Sequence, residues 1–214
     1  MSPEEIKTRS KGGDVVPKKK KARTGSKSTV QSKKMEAARS AEPSAPSPEE
    51  LISSLSSQDD AVRVKARNTL VAMGKAAIPS LAAALQEIND LARWEAAKAL
   101  GEIGAPEAGP PLVKALEDEQ FDVRWLAAVA LINMNIKGLK PLLHALMERS
   151  DSVFLRDGAH HVVHDLTKGE LRKYLAPVLT ALENVEPAAG CPQVAFHALE
   201  MLEKDRKISD TWIH

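Results

Sequence analysis

Three ionisable side chains with metal-ligand chemistry fall within one short stretch of the chain. Asp157, His160 and His164 stand at positions i, i+3 and i+7, so on an α-helix they share one flank. A carboxylate and two neutral imidazoles could hold zinc, iron, copper or nickel, and a catalytic centre would also keep an open coordination position. The alternative is a polar helix flank that makes capping hydrogen bonds and hydrogen bonds to neighbouring units. No cofactor is required by the sequence, but a metal or an anionic ligand at these residues is one hypothesis.

No other motif indicates catalysis. The chain lacks a glycine-rich phosphate loop, a nucleophile elbow and a pair of catalytic carboxylates. Its single cysteine, Cys191, excludes an internal disulfide and fits a reducing compartment. No apolar run approaches the ~18–20 residues that span a bilayer, and no signal-peptide stretch opens the chain. We therefore expect a cytoplasmic protein without a membrane span, and a non-catalytic role is favoured over an enzymatic one.

A group of cations lies near the N-terminus, at Lys18, Lys19, Lys20, Lys21 and Arg23. Residues 1–48 hold 12 of the 30 Lys and Arg but 5 of the 29 Asp and Glu, so they carry +7 and the remainder carries −6. Few large apolar residues occur there, which predicts a disordered basic tail over residues 1–47. Its cations would bind nucleic acid or phosphate by counterion release, although it lacks aromatic side chains that stack on bases. A nuclear-import signal and a solubilising linker are the alternatives.

The elements that must position these side chains repeat about every 31 residues. Each unit has an arginine, then Ala, Leu and Met or Ile at helical spacing, then a proline and a leucine. The arginines are Arg63, Arg93 and Arg124, the alanines Ala66, Ala96 and Ala127, and the leucines Leu70, Leu100 and Leu131. Self-similarity at this period indicates stacked helical repeats. Such folds form long binding surfaces, and the fold alone does not imply catalysis.

Helix boundaries follow from the apolar spacing and from the capping residues. Gly74 and Gly104 are expected to end helices, and Ser47-Pro48-Glu49-Glu50 has the pattern of a capping box. First helices of the units are predicted near 60–73, 90–103, 121–134, 152–166 and 192–204. Second helices are predicted near 48–56, 78–87, 109–117, 139–149 and 171–184. In the fourth unit, Leu155 or Arg156 takes the place of the arginine.

The fold class that follows is all-α. We predict an α-solenoid of about five short helix pairs over residues 48–205, preceded by the basic tail and followed by a C-terminal extension, 206–214. Residues 91–104, continuing through 110–118, resemble the short HEAT repeats first noted in phycobilisome lyases. The resemblance is strong over residues 60–149 and weaker over 150–204. Only the scaffold matches that family, because no motif for bilin chemistry accompanies it.

The resemblance also implies contacts between successive units. In that family, an acidic residue at the end of one helix meets the arginine that begins the next helix. Asp118 before Arg124 fits this pattern, as does Glu87 before its arginine. Ser57 before Arg63 does not. We therefore expect these contacts to weaken at the N-terminal end of the stack.

The position after each arginine is the best candidate for partner binding. It holds Val64, Trp94 and Trp125 in consecutive units and lies on the flank of the apolar stripe. Partly exposed adjacent tryptophans make good interface anchors. The alternative is that both pack against the neighbouring second helix. We therefore favour a scaffold that binds a protein partner through Trp94 and Trp125.

Two other functional classes stay open. A nucleic-acid-associated HEAT-like protein would use the basic tail for affinity, but the −6 charge of the remaining chain argues against a repeat surface that cradles a duplex. A metal-dependent or bilin-lyase-like enzyme depends only on the helix with Asp157, His160 and His164.

Overall fold

The computed structural model describes residues 46–205, and all regular structure in this range is helical. The predicted site residues Lys18 to Lys21 and Arg23, and the predicted extension 206–214, lie outside the described residues. The helices are α1 Pro48–Ser54, α2 Asp60–Met73, α3 Ile78–Ala84, α4 Asp90–Ile103, α5 Gly109–Ala115, α6 Phe121–Met134, α7 Ile136–Glu148, α8 Val153–Leu166, α9 Arg172–Leu182 and α10 Pro187–Lys204. Short 3₁₀ turns at Gly74–Ala77, Pro106–Ala108 and Gly169–Leu171 lead into α3, α5 and α9.

The predicted capping box opens α1. The Ser47 hydroxyl accepts a hydrogen bond from the Glu50 amide at 3.3 Å, and a Glu50 carboxylate oxygen accepts from the Ser47 amide at 3.1 Å. Pro48 is the first helical residue, where its missing N–H costs no helical hydrogen bond. The longer helices α2, α4 and α8 are capped by the side chains of Asp59, Asn89 and Ser152. These caps set where these three 14-residue helices begin.

Residues with positive φ end the first helices α2, α4 and α6. Gly74 and Gly104 have φ of +60° and +58°, which a glycine adopts without steric cost. Asn135, with φ of +54°, takes the same place between α6 and α7, and the sequence analysis did not identify it. Because the chain turns so sharply there, α7 begins at Ile136 rather than near residue 139.

The helices form two layers around an aliphatic core. The first helices α2, α4, α6 and α8 pack side by side as successive neighbours, and α1, α3, α5 and α7 form the second layer. The stripe residues at the centre of this core include Leu70, Leu100 and Leu131, all inaccessible to solvent. Gly101 on α4 lies so close to α6 that an added Cβ would stand 2.7 Å from the Ala130 Cβ. The all-α solenoid predicted from the repeat is therefore confirmed.

The last helix pair departs from the regular arrangement. α10 packs mainly against α7 and α9, so it extends the second layer instead of following α8 in the first. It begins at Pro187, five residues before the predicted start, and it contains Pro192 within the helix. A proline there leaves the carbonyl of Ala188 without its helical donor, and the Ser150 hydroxyl donates to that oxygen at 2.8 Å. None of the described helices is long and apolar enough to cross a membrane.

Candidate functional site

One arginine in each first helix is fixed by the main chain of the preceding turn. Its Nη1 donates to the carbonyl oxygen of the residue six positions earlier in the sequence. The pairs are Arg63 with Ser57 at 2.8 Å, Arg93 with Glu87 at 2.9 Å, Arg124 with Asp118 at 2.7 Å and Arg156 with Ser150 at 2.6 Å. The fourth pair identifies Arg156, rather than Leu155, as the arginine of the fourth unit.

Two of these arginines, Arg63 and Arg93, have carboxylate partners in the following unit. Arg93 is paired with Asp118, with Nε–Oδ2 and Nη2–Oδ1 distances of 2.8 and 3.2 Å, and both side chains are less than one-tenth exposed. The hydrogen bond to Asp118 raises the pKa of Arg93 above its ordinary value, and Coulombic attraction to the same carboxylate adds to the shift. This bidentate contact therefore ties α4 to the loop that precedes α6.

The arginine was expected to contact the acidic side chain that precedes it, and this expectation is wrong, because the arginine contacts the main chain of that residue instead. The residue before the arginine contributes its main-chain carbonyl, which any residue type supplies. The Ser57 carbonyl consequently accepts from Arg63 in the same way as the Asp118 carbonyl accepts from Arg124. The contacts do not weaken at the N-terminal end, because Arg63 also reaches Glu95 on α4, with an Nε–Oε1 distance of 3.3 Å.

Glu95 is the most buried acidic side chain of the first-helix layer, at 1% exposure. Besides Arg63 it accepts a hydrogen bond from Arg67 Nη1 at 2.5 Å. Arg67 is also buried, and its Nε has no hydrogen-bond acceptor within the described residues. One carboxylate thus holds two arginines of α2, which fixes α2 against α4.

Trp94 lies partly inside the structure. It packs against the hydrophobic core, and the Lys98 Nζ stands 4.9 Å from the centre of its ring. It lines a groove of about 450 Å³ that also includes Val64, Asp90 and Asp122. Trp94 therefore contributes to core packing and also lines a groove on the surface.

Trp125 is half exposed, at 50%, and lies among other exposed apolar side chains. It lines a second groove, of about 240 Å³, between α6 and α8, together with Phe121 and Phe154, which are 66% and 45% exposed. The Arg124 guanidinium carbon is 4.3 Å from the Phe154 ring centre and 5.7 Å from that of Phe121. We call Phe121, Arg124, Trp125 and Phe154 the aromatic cluster.

Neither phenylalanine of this cluster was predicted from the repeat. The predicted binding position directly follows each arginine, whereas Phe121 and Phe154 precede theirs by three and two residues. A signal was present at the first residue of each helix, where α2 and α4 have Asp60 and Asp90 but α6 has Phe121. A large apolar residue at an exposed helix start indicates a contact surface.

The residues of the metal hypothesis are divided between two places. The His160 and His164 rings are stacked with centroids 6.0 Å apart, and His160 Nε2 lies 3.3 Å from Glu183 Oε1 at the end of α9. Asp157 instead lines the groove beside Trp125, together with His161. Within residues 46–205, no group of three or more His, Cys, Asp or Glu side chains has an arrangement that could hold a metal ion. The metal site stays a prediction.

The second-helix layer carries a groove of about 460 Å³ between α5 and α7. Its walls include Pro110, Val113 and Pro141, with Lys140 and Arg149 at the rim. Lys140 is paired with Glu203 of α10 at 2.9 Å, and Arg149 is paired with Glu117. These two rim cations already have carboxylate partners within the fold.

Comparison with known proteins supports the repeat over part of the chain. Residues 48–132 match a protein-family model described as HEAT repeats. The matched segment runs from α1 into α6 and contains Trp94 and Trp125. No curated protein matches the chain.

Proposed function

We propose that this chain, whose residues 48–132 match HEAT repeats, is a non-catalytic scaffold that binds a protein partner along its layer of first helices. The observation that carries this proposal is the aromatic cluster. The chain has only seven Phe, Trp and Tyr residues, and three of them stand together in this cluster, at or above 45% exposure. Repeat stacks present such surfaces without needing chemistry of their own.

Energetics favour a protein partner at this surface. Tryptophan and arginine are the residues most often responsible for binding energy, and here both stand on helices that are fixed by core packing. The exposed Val153 lies at the first turn of α8 and adds apolar area beside Phe154. By contrast, the residues that line the α5–α7 groove include no aromatic ring of Phe, Trp or Tyr, so that groove lacks an anchor of this kind.

Partner capture with matched surface variants tests this function. Trp125→Ala and Phe154→Ala remove exposed rings, whereas Ile88→Ala and Val185→Ala remove exposed apolar side chains, 98% and 94% exposed, from loops outside the cluster. Proteins captured from a lysate of the source cells are quantified for each variant. We expect the first pair to lose a partner that the control pair retains. Equal capture by all four variants would exclude the aromatic cluster as the binding surface.

Nucleic-acid association is the second candidate function, and it depends on the basic tail. The four consecutive lysines Lys18–Lys21 and Arg23 support binding to phosphates. Binding of this kind should fall steeply with salt and disappear when residues 1–47 are deleted. A protein that binds a duplex equally well without these residues would contradict it.

Three finer assignments belong with this proposal. The residue pattern of 91–104 supports repeats of the phycobilisome-lyase type. The single Cys191 supports a cytoplasmic location. The composition supports a division into a tail, 1–47, a solenoid, 48–205, and an extension, 206–214.

A further inference from the structure

The arginines of the first helices differ in their carboxylate partners. Arg63 contacts Glu95, and Arg93 is paired with Asp118. Arg124 has no carboxylate partner among the described residues, and its only hydrogen bonds there run from Nη1 to two main-chain carbonyl oxygens. The charge of Arg124 is therefore not neutralised within the part of the fold that the structure describes.

The sequence of the fourth unit explains this difference. Asp118 and Ser150 are equivalent, since the carbonyl of each accepts from the arginine six residues later. Glu95 and Gly158 are also equivalent, since each follows the arginine of its helix by two residues. Ser150 and Gly158 have no carboxylate, so neither can neutralise Arg124. Glu119 also contacts Arg93, at 3.3 Å. Its equivalent is the acidic Asp151, but Asp151 forms no ion pair with Arg124 in the described part of the chain.

The surroundings of Arg124 favour an external carboxylate. Its guanidinium lies over the Phe154 ring at 4.3 Å and within 5.7 Å of the Phe121 ring centre, and Arg124 lines the α6–α8 groove beside Trp125. Aromatic rings over a guanidinium fix its plane and remove water from its faces, while the N–H edges remain available. A planar fork of N–H donors matches the two oxygens of a carboxylate.

We propose that the α6–α8 groove binds a segment of the protein partner that places a carboxylate on Arg124 and a large apolar side chain beside Trp125. The inference rests on the proposed function and names the chemistry that its surface selects. The partner's carboxylate pairs with Arg124 in the way that the Asp118 carboxylate pairs with Arg93. Asp157, which lines the same groove from α8, repels a second acidic residue and so favours a segment with a single acid.

A peptide array tests the proposal on the full 214-residue chain. One set of nine-residue peptides has a central Glu flanked by Leu, Met, Phe or Trp, and the matched set has Gln in its place. Dissociation constants of the strongest binders are measured by fluorescence polarisation. We expect each Glu peptide to bind at least about tenfold more tightly than its Gln match, because charge-assisted hydrogen bonds are roughly twice as strong as neutral ones. The difference should shrink as salt is raised.

Three variants locate the carboxylate. Arg124→Gln should abolish the Glu–Gln difference, and Arg124→Lys should keep only part of it, because lysine retains the charge but not the planar fork. Lys98→Gln removes the same charge from the neighbouring groove, where Lys98 covers Trp94, and should leave the difference unchanged. Arg124 also holds main-chain carbonyls, so circular dichroism checks the fold of each variant. The comparison of peptides on the unaltered protein needs no variant.

The outcomes separate this inference from the proposed function. If Glu and Gln peptides bind equally and this binding is lost in Trp125→Ala, recognition of a carboxylate by Arg124 is refuted, but the groove remains a partner-binding surface. Tighter binding of the Gln peptides than of their Glu matches would overturn it too, since repulsion by Asp157 would then outweigh attraction to Arg124. Binding that does not depend on Trp125 in any peptide would overturn both proposals.

Discussion

Arg93 and Asp118 lie 25 residues apart in the sequence and form a buried bidentate ion pair, with an Nε–Oδ2 distance of 2.8 Å. Asp118 also accepts, through its main-chain carbonyl, from Arg124 of its own unit. Asp118 thus joins two successive units, because its side chain contacts the arginine of the preceding unit and its main chain contacts the arginine of its own unit. This relationship, rather than a local pair of neighbouring charges, holds the loops of the stack in register.

Loss of the Asp118 carboxylate should destabilise the fold strongly. In Asp118→Ala the buried Arg93 charge would keep no bidentate partner, and removing one partner of a buried pair typically costs about 3–5 kcal/mol. Chemical denaturation monitored by circular dichroism measures the free energy of unfolding. Asp165→Ala is the control, because its pair with Lys168 is exposed and should contribute almost nothing. Equal effects of the two variants would show that burial does not decide the contribution of these pairs.

Two glycines in helices should respond in opposite directions to alanine. In Gly101→Ala the new Cβ would stand 2.7 Å from the Ala130 Cβ, so α4 and α6 must separate, at a cost of about 1–3 kcal/mol. In Gly190→Ala the nearest atom is the Ala181 Cβ, at 3.9 Å. The gain in helix propensity should then stabilise the fold by up to about 1 kcal/mol. Thermal unfolding of both variants checks the signs, and stabilisation by Gly101→Ala would refute the close contact of the two helices.

The two tryptophans should separate stability from binding. Trp94→Ala removes a ring that packs against the core and should lower the free energy of unfolding by about 1–2 kcal/mol. Trp125→Ala removes a half-exposed ring and should leave stability nearly unchanged while partner binding is lost. Urea denaturation and partner capture on the same preparations measure the two effects. A large loss of stability in Trp125→Ala would identify that ring as structural.

Cys191 should react with thiol reagents only after unfolding. The side chain is inaccessible to solvent, and burial raises the pKa of its thiol above the ordinary value. The unfolded chain therefore releases this proton at lower pH than the folded chain does. The free energy of unfolding should fall as pH rises through the ordinary thiol range, and Cys191→Ala should lack that contribution. Rapid labelling of the native protein near neutral pH would contradict the burial.

Elemental analysis of purified, tag-free protein tests the metal hypothesis for His160 and His164. A bound metal should be stoichiometric and should be lost in the His160→Ala/His164→Ala double variant. Glu183→Gln removes the carboxylate that lies 3.3 Å from His160, so it should weaken a metal held there if that carboxylate completes the site. A preparation without metal would leave the stacked histidines as a polar helix surface.

Much of the fold could be predicted from residue spacing. The first helices were predicted at 60–73, 90–103, 121–134 and 152–166, and they are observed at those bounds or within one residue of them. Capping residues and a regular apolar stripe act locally, so they are visible in the sequence. The start of α7 was not predicted, because a positive φ at Asn135 replaces the expected glycine. The start of α10 was missed because a serine from the preceding loop satisfies the carbonyl that Pro192 leaves free.

The candidate site was predicted only in part. Trp125 was identified from its place in the repeat, but Phe121 and Phe154 belong to different units and different repeat positions. They meet only because α6 and α8 pack side by side. Conversely, helical spacing grouped Asp157 with His160 and His164, whereas neighbouring elements draw Asp157 towards α6 and His160 towards α9.

The sequence by itself determined the helical repeat, the boundaries of the first helices and the aliphatic core, because each depends on capping residues or on apolar residues that recur at a fixed spacing. The tertiary structure alone decided which carboxylate meets which arginine and which aromatic rings share a groove. Those contacts join side chains on different helices or loops, 25 or more positions apart, and regular spacing does not specify which of these side chains face one another. Repeat spacing therefore specifies the stack, and the packing of successive units specifies its binding surface.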